Sequence, residues 1–186
     1  MPIDLQPTHL ENELVKLVPL KEEDFERLYK VASDPLVWEQ HPNKNRYQRE
    51  VFQNYFKGAI ESGGAFLILD KKTGEVIGSS RLYDHKPADK EIEIGYTFLS
   101  RDHWGGAYNR AVKKLMLDHA FTFADRVIFH IGAQNVRSQK ALEKLGGKKT
   151  GEIEMEYFGE PKRLNFIYHI HKTDWAAQQP ATMPGQ

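Results

Sequence analysis

A short run of small residues stands between an apolar segment and an amphipathic helix. The run is Trp104-Gly105-Gly106-Ala107, and the helical segment YNRAVKKLMLDHAF follows it. Glycine lets a ligand approach backbone amides closely, and a helix N-terminus offers unpaired N–H groups with a partial positive charge. This arrangement favours the binding of a phosphate or diphosphate. The other interpretation is a tight strand-to-helix turn that binds nothing.

Three classes of phosphate ligand use a helix N-terminus in this way. Nucleoside triphosphates need GxxxxGK[ST], whose lysine and hydroxyl are missing from this turn, and dinucleotides prefer GxGxxG, which is missing too. The third class is coenzyme A, whose diphosphate needs only backbone amides and whose pantetheine arm lies along a strand.

Two carboxylates stand at positions i and i+2 of the segment EIEIG. In a strand, Glu91 and Glu93 lie on one face, and a carboxylate buried in a central strand is costly unless it has a partner or a task. One task is to accept a proton from a nucleophile. The alternative is an ion pair with an arginine such as Arg81.

Composition excludes several other kinds of site. The 186 residues contain 26 basic and 26 acidic side chains, so no net field attracts nucleic acid or an anionic membrane. The absence of cysteine excludes disulfides, cysteine-ligated zinc and a thiol nucleophile. The start, MPIDLQPTHLENEL, does not read as a signal peptide, and no apolar stretch approaches the roughly 20 residues of a membrane span. We expect a cytoplasmic protein.

Alternating strands and helices must position the glycine turn and the carboxylates. The predicted strands are 13–20, 65–70, 75–84, 91–99, 126–132, 148–158 and 163–171, and the predicted helices are 21–32, 46–61, a helix from the glycine turn to 123, and 135–147. This order predicts an α/β (α+β) domain with one mixed, mostly antiparallel central sheet flanked by helices. We assign the domain to residues 10–174, with flexible tails at 1–9 and 176–186.

Read together, four segments resemble the GNAT N-acetyltransferase superfamily. They are EIGY at 93–96, the WGxxYN pattern at 104–109, KLMLDHAF at 114–121 and the NxxSxxALEKLG pattern at 135–146. Their order and spacing are similar to the branch of ribosomal-protein N-terminal alanine/serine acetyltransferases and their small-molecule-acting relatives. The resemblance covers roughly residues 10–174 and implies a single GNAT-like domain.

The resemblance also implies a site for acetyl-CoA as cosubstrate. Segment 99–101 would lie along the pantetheine arm, 104–109 would cup the diphosphate, and Asn135 would hold the pantetheine amide. The implied cofactor-binding residues are Leu99, Arg101, Trp104, Gly105, Gly106, Ala107, Tyr108, Asn109, Asn135 and Ser138. Asn135 is alternatively a plain helix N-cap, with Ser138 in the first turn. Lys113 and Lys114 are interpreted as solvated helix positions in preference to contacts with a 3′-phosphate.

Acetyl transfer to an amine needs a base for the amine and an acid for the thiolate. By resemblance, Glu93 is the base, acting through a water, because it stands two residues before Gly95. Ser138 is the acid by the same resemblance, since the tyrosine position of many relatives is Leu142 here. A backbone N–H near Leu99 would polarise the thioester carbonyl.

The acceptor site is expected in the segment WEQHPNKNRY, where Trp38, His41 and Tyr47 are the candidate substrate residues. A protein N-terminus or a small-molecule amine fits the chemistry. His119 and His130 are interpreted as structural, and no metal site is predicted. The strand EIEMEYF is interpreted as a solvated glutamate face over a core face, or alternatively as an acidic wall for a cationic acceptor. A homodimer formed through edge strands is compatible with the pattern.

The sequence therefore predicts an N-acetyltransferase that transfers the acetyl group of acetyl-CoA directly to a primary amine. A covalent route is disfavoured because cysteine is absent and no Ser–His pair is evident. The rival interpretation is a non-catalytic acyl-CoA-binding regulatory module. It is favoured by Trp104, Ala107 and Asn109, which depart from the family signature [QR]-x-x-G-x-[GA], and by Leu142, which replaces the tyrosine of many relatives.

Overall fold

Seven strands and five helices make up the computed structural model, which describes residues 2–156 and 160–178. The strands are β1 Val15–Pro19, β2 Ala65–Asp70, β3 Val76–Lys86, β4 Glu91–Leu99, β5 Arg126–Gly132, β6 Lys148–Met155 and β7 Arg163–His171. The helices are α1 Phe25–Ala32, α2 Arg49–Ser62, α3 Ala107–Ala120, α4 Val136–Lys144 and α5 Lys172–Gln178. Each predicted strand and helix is present, with ends that move by a few residues.

All seven strands belong to one sheet in the order β1-β2-β3-β4-β5-β7-β6. Strands β4 and β5 are parallel, and every other neighbouring pair is antiparallel. The parallel pair results from the crossover through α3, because two parallel strands cannot be joined by a short turn. The predicted α/β class with a mixed, mostly antiparallel sheet is confirmed.

Apolar side chains separate into two cores, one on each face of the sheet. Helices α1 and α2 pack on one face, which we call the α2 side, with Leu28, Phe52 and Phe98 among its buried residues. Helices α3, α4 and α5 cover the other face, the α3 side, where Met116 and Leu142 are buried. Full burial of one such side chain stabilises the fold by about 1.5–3 kcal/mol.

Strands β4 and β5 separate soon after they begin. Their pairing covers Glu91 with Arg126, Ile92 with Val127, and Glu93 with Ile128. Beyond this point β4 carries a bulge, where the register against β3 shifts and Tyr96 adopts a φ of 55°. A bulge adds an unpaired residue and bends its strand. The result is a wedge between the ends of β4 and β5.

Both ends of the chain make more contacts than the sequence suggests. Helix α5 extends to Gln178, and Trp175 is buried with its indole Nε1 donating to Asp118 Oδ1 at 2.7 Å. Near the start, Gln6 Nε2 donates to the Ala65 carbonyl at 2.7 Å. The tail predicted from 176 is therefore helical through 178, and 179–186 lie outside the described residues.

Strand β6 departs from its predicted two-faced pattern. It is an edge strand, and Ile153 is 39% exposed although a core face was expected there. Residues 157–158 of the predicted strand lie outside the described residues. No helix in the described part of the chain has the length and apolarity needed to cross a bilayer.

Candidate active site

A cavity of about 180 Å³ occupies the wedge between β4 and β5. It is lined by segments 94–99 of β4 and 129–132 of β5, by the turn before α3, and by the start of α4. Of the predicted site residues, those that line it are Trp38, His41, Leu99, Trp104, Gly105, Gly106, Asn109, Asn135 and Ser138. The wedge thus brings together the predicted cofactor turn and part of the predicted acceptor segment.

The N-terminus of α3 presents bare backbone to this cavity. Gly106 is the N-cap residue, and no side chain caps the helix. Gly105 and Gly106 have φ values of +111° and +101°, which side-chain-bearing residues rarely adopt, and a Cβ at either would meet nothing within 4 Å. Uncapped amides facing open space suit an anionic group.

Trp104 closes one side of the wedge. Its indole Nε1 donates to the Leu99 carbonyl at 3.0 Å, and the Arg137 guanidinium lies 3.6 Å from the centroid of its ring. Arg137 belongs to α4, so this stack links the turn before α3 with the helix that follows β5. Trp104 replaces a polar residue of the family signature, and it supplies both a hydrogen bond and a cation–π surface.

The start of α4 combines two roles that the sequence left open. Asn135 accepts a hydrogen bond through Oδ1 from the Ser138 backbone N–H at 3.3 Å, which makes it the N-cap of α4. Both residues also line the cavity. Asn135 therefore caps α4 and also faces the cavity.

Several predicted residues point elsewhere. Arg101 is engaged with Asp34, with Nε 2.5 Å from Oδ2. Tyr108 donates its hydroxyl to Asp70 Oδ2 at 3.3 Å, and Tyr47 packs in the α2-side core. The predicted residues that do not line the cavity are Glu93, Arg101, Ala107, Tyr108 and Tyr47.

A Ser–His pair, which the sequence did not reveal, lies beside the turn. Ser100 Oγ is 2.5 Å from His103 Nδ1, and His103 Nε2 is 3.0 Å from Asp70 Oδ2. Because Tyr108 also bonds to Asp70, these side chains join the end of β2 to the turn and the first turn of α3. The contacts hold the glycine turn in place from three elements. The sequence analysis identified no Ser–His pair, because the contacts of His103 with Ser100 and Asp70 depend on the fold.

The two predicted carboxylates of β4 have different surroundings. Glu91 accepts hydrogen bonds from the Arg126 guanidinium, including one from Nε at 2.9 Å. Glu93 is 6% exposed, and its Oε2 lies 3.1 Å from His130 Nδ1. Those two atoms are not aligned as a hydrogen bond, so neither has a hydrogen-bond partner among the described residues. The expected alternative partner, Arg81, instead lies 3.7 Å from the Tyr96 ring centroid.

The α2 side of the cavity is aromatic and contains a buried arginine. Arg46 is 2% exposed, lies over the rings of Trp38, Tyr55 and Tyr96, and pairs with Glu160 at 3.2 Å. Burial first, and the Arg46 charge second, hold the pKa of His41 well below its usual value. His41 is therefore a neutral imidazole at neutral pH.

A second, more open cavity of about 600 Å³ adjoins the first and shares His41 and Pro42 with it. Asn43 lies in its wall and is 6% exposed, and neither Oδ1 nor Nδ2 of its amide has a hydrogen-bond partner among the described residues. Gln134 and Arg163 contribute further polar side chains. This outer cavity lies beside the wedge and is lined by segment 41–45 after α1 and by Glu160 and Pro161 before β7.

Lys113 is a site residue that sequence reasoning misplaced. It was interpreted as solvated, yet it is 7% exposed and lines the wedge cavity, with Nζ donating to Thr97 Oγ1 at 2.6 Å. Lys114 does fit the prediction, since it is exposed and pairs with Asp118 at 2.8 Å. Helical periodicity alone did not distinguish the buried Lys113 from the exposed Lys114.

Comparison with known proteins agrees with this geometry. The sequence profile of the acetyltransferase (GNAT) domain matches residues 15–148. This chain belongs to the GNAT acetyltransferase family. It is 35% identical over 106 residues to the uncharacterized N-acetyltransferase p20 of Bacillus licheniformis, covering 55% of this chain and 58% of that one. It is 26% identical over 87 residues to the peptidyl-lysine N-acetyltransferase YjaB of Salmonella typhimurium, covering 43% of this chain and 60% of the relative.

The GNAT fold is also found in a GCN5-related N-acetyltransferase from Brucella melitensis. Its crystal structure superposes with a TM-score of 0.78 at 20% identity, over 92% of this chain and 84% of that one. The chain spans about 60% of the length of the curated relatives it matches. Within residues 2–156 and 160–178 of this GNAT domain, no group of three His, Cys, Asp or Glu side chains could hold a metal ion.

Proposed function

We propose that this GNAT domain transfers the acetyl group of acetyl-CoA directly to a primary amine. The observation that carries the proposal is the wedge between β4 and β5, which opens at one end onto the uncapped N-terminus of α3. The separated strand ends offer backbone groups to a pantetheine arm, and the amides after Gly106 offer a site for a diphosphate. Asn135 and Ser138 complete the wall on the α4 side.

Glu93 is the proposed base. Its orphaned Oε2 and the nearby His130 Nδ1 are buried polar atoms that a water would satisfy. Because Glu93 does not line the wedge cavity, its proton would come from the amine through such a water. His130 does line the cavity, and it would orient the same water.

The proposed acceptor is an amine carried on a polypeptide. The outer cavity of about 600 Å³ is larger than a simple alkylamine needs. The Asn43 side-chain amide, which has no hydrogen-bond partner in the described part of the chain, suits a peptide backbone, which offers one donor and one acceptor per residue. The relative YjaB is named as a peptidyl-lysine N-acetyltransferase. Trp38, His41 and Arg46 would line the passage from this cavity to the wedge.

Direct turnover distinguishes this function from the non-catalytic acyl-CoA-binding module. The protein is incubated with acetyl-CoA and, separately, peptides with a free N-terminus, peptides with an internal lysine, and polyamines. Acetylated product is detected by mass spectrometry. Product from either peptide class supports the proposal, and product from polyamines alone would overturn the acceptor assignment. Binding of acetyl-CoA without product in any mixture would favour the regulatory module.

Two further sequence predictions stay predictions. They are the cytoplasmic location and a homodimer formed through edge strands.

A further inference from the structure

Lys113 is a buried lysine that has no part in proton removal by Glu93. It sits on α3, six residues after the helix begins, with 7% of its surface exposed. Its Nζ donates to Thr97 Oγ1, which in turn lies 2.7 Å from Ser80 Oγ. Both of these hydroxyls are neutral, and among the described residues no carboxylate forms an ion pair with Lys113.

Burying an ammonium without a carboxylate is costly, so such a group shifts towards its neutral form. Burial lowers the pKa of Lys113 to about 7 and is the one cause of this shift. Ionisable groups that line the same cavity from other elements do not contribute to it; they are His41, Arg46, Tyr83, Tyr96, His103, His130 and Arg137. Lys113 can therefore exchange a proton near neutral pH.

Lys113 and Glu93 approach the wedge from opposite faces of the sheet. Ile92 and Ile94 face the α3-side core, so Glu93 between them faces the α2 side. After the bulge, Phe98 faces the α2 side, so Thr97 and its partner Lys113 face the α3 side. Acetyl transfer removes a proton from the amine and needs a proton for the sulfur, so a base on one face of the wedge and an acid on the other would serve both steps.

We propose that Lys113 is the acid that protonates the coenzyme A sulfur. This assignment rests on the proposed acetyl transfer. As the amine nitrogen bonds to the carbonyl carbon and the C–S bond breaks, Glu93 takes the N–H proton and Lys113 gives one to sulfur. One proton then returns from Glu93 to Lys113 through solvent, so the enzyme is restored and the products are an amide and a thiol.

The magnitudes favour this direction of proton transfer. A thiol has an ordinary pKa of about 8.5, so a donor near 7 is the stronger acid and can give its proton to the thiolate. Leu142, which is buried in the same cavity wall, carries no proton to give. Ser138 also lines the cavity, but an ordinary hydroxyl is a far weaker acid than an ammonium near pH 7.

The test uses Lys113→Met, with Lys113→Gln as a second variant and exposed Lys114→Met as the matched control. Free coenzyme A is bound to each protein, and its thiol is titrated by the ultraviolet absorbance of the thiolate. The comparison is made at about pH 6–7, where Lys113 still carries its proton; because a nearby ammonium stabilises a thiolate, we expect a larger thiolate fraction in wild type and Lys114→Met than in either Lys113 variant. We also expect kcat to fall by about 100-fold or more in Lys113→Met, while the Kd for acetyl-CoA stays within about 3-fold.

Two results would overturn the assignment. An equal thiolate fraction at about pH 6–7 in wild type and both Lys113 variants would mean that Lys113 is not beside the sulfur. A loss of acetyl-CoA affinity of about 10-fold or more with kcat preserved would make Lys113 a binding residue instead of an acid. If no amine is acetylated by wild type, the proposed function fails, and the thiol titration by itself still decides whether Lys113 lies beside the sulfur.

Discussion

The Arg137 guanidinium lies over the ring of Trp104, 3.6 Å from the ring centroid. This contact spans the mouth of the wedge, from the turn before α3 to the first turn of α4. The hydrogen bond from Trp104 Nε1 to the Leu99 carbonyl also holds the indole in place. The turn before α3 and helix α4, which flank the proposed cofactor site, are thereby joined by a pair of side chains.

Removing this cation–π contact should loosen the wedge. We expect Arg137→Ala to lower the free energy of unfolding by about 0.5–2 kcal/mol, since the ring and the cation are partly desolvated. Chemical denaturation measures this loss. Lys140→Ala, an exposed position of the same helix, serves as the control and should change stability by less than about 0.5 kcal/mol. Equal effects of the two substitutions would contradict the role of the stack.

A substitution in the glycine turn before α3 should weaken coenzyme A binding, whereas the same substitution in an ordinary turn should not. Gly106→Ala imposes a side chain at a φ of +101° and places a methyl group in the space that a diphosphate would need. We expect it to weaken coenzyme A binding by at least about 10-fold, measured by calorimetry. The matched control is Gly74→Ala in the β2–β3 turn, where φ is +73° and the space is also open.

Gly74→Ala should cost stability through backbone strain but leave coenzyme A affinity unchanged. If Gly74→Ala and Gly106→Ala weaken binding equally, the effect is general destabilisation, and the proposed cradle before α3 is wrong.

The two carboxylates of β4 should respond differently to the same substitution. Glu93→Gln should lower kcat by about 100-fold or more with coenzyme A affinity retained, because the proposed base is lost. Glu91→Gln should instead lower stability by about 1–2 kcal/mol, because it weakens charge-assisted hydrogen bonds to the partly exposed Arg126. Steady-state kinetics and denaturation of both variants make the comparison, and a larger kcat effect for Glu91→Gln would contradict the assignment.

Lys113 should leave a signature in stability as a function of pH. Its folded pKa of about 7 is below its unfolded value of about 10.4. Below pH 7 Lys113 is charged in both the folded and the unfolded state, so the cost of burying the ammonium is fully present. Between pH 7 and about 10.4 Lys113 is neutral in the folded state and still charged in the unfolded state, so the free energy of unfolding rises with pH. The slope approaches about 1.4 kcal/mol per pH unit.

Chemical denaturation of wild type and Lys113→Met across this range isolates that contribution. As the pH rises from about 7, we expect the free energy of unfolding of wild type to increase relative to that of Lys113→Met. Lys114→Met should show the same pH dependence as wild type. Parallel curves for wild type and Lys113→Met would show that Lys113 keeps its ordinary pKa.

Local sequence patterns predicted the elements well where the pattern is strong. Strand β4 occupies the predicted residues 91–99, and β7 the predicted 163–171, because alternating and β-branched residues in a central sheet have one register that buries them. Helix α5 was missed because its polar composition resembles a tail, and it is the burial of Trp175 that holds it. Tertiary contact overrode local propensity there.

The site was predictable as a region and less so as a set of contacts. Gly105, Gly106, Asn135 and Trp38 line the wedge cavity, while the binding roles implied by the resemblance stay predictions. The contacts of Glu93 with His130 and of His103 with Asp70 join residues more than 30 positions apart, which no spacing rule encodes. Lys113 was misjudged because burial of a charged side chain depends on the cavity that other elements build.

The most direct test of the central claim is thermal unfolding with acetyl-CoA, coenzyme A, NAD and ATP in separate samples. A ligand at about 100 times its Kd adds roughly 2.7 kcal/mol, or about 5–10 °C for a chain of this size. We predict a rise in Tm with acetyl-CoA and coenzyme A and no comparable rise with NAD or ATP. No rise with either coenzyme A species would mean that the wedge and the turn at 104–109 bind no acyl carrier, and the proposed transfer would be wrong.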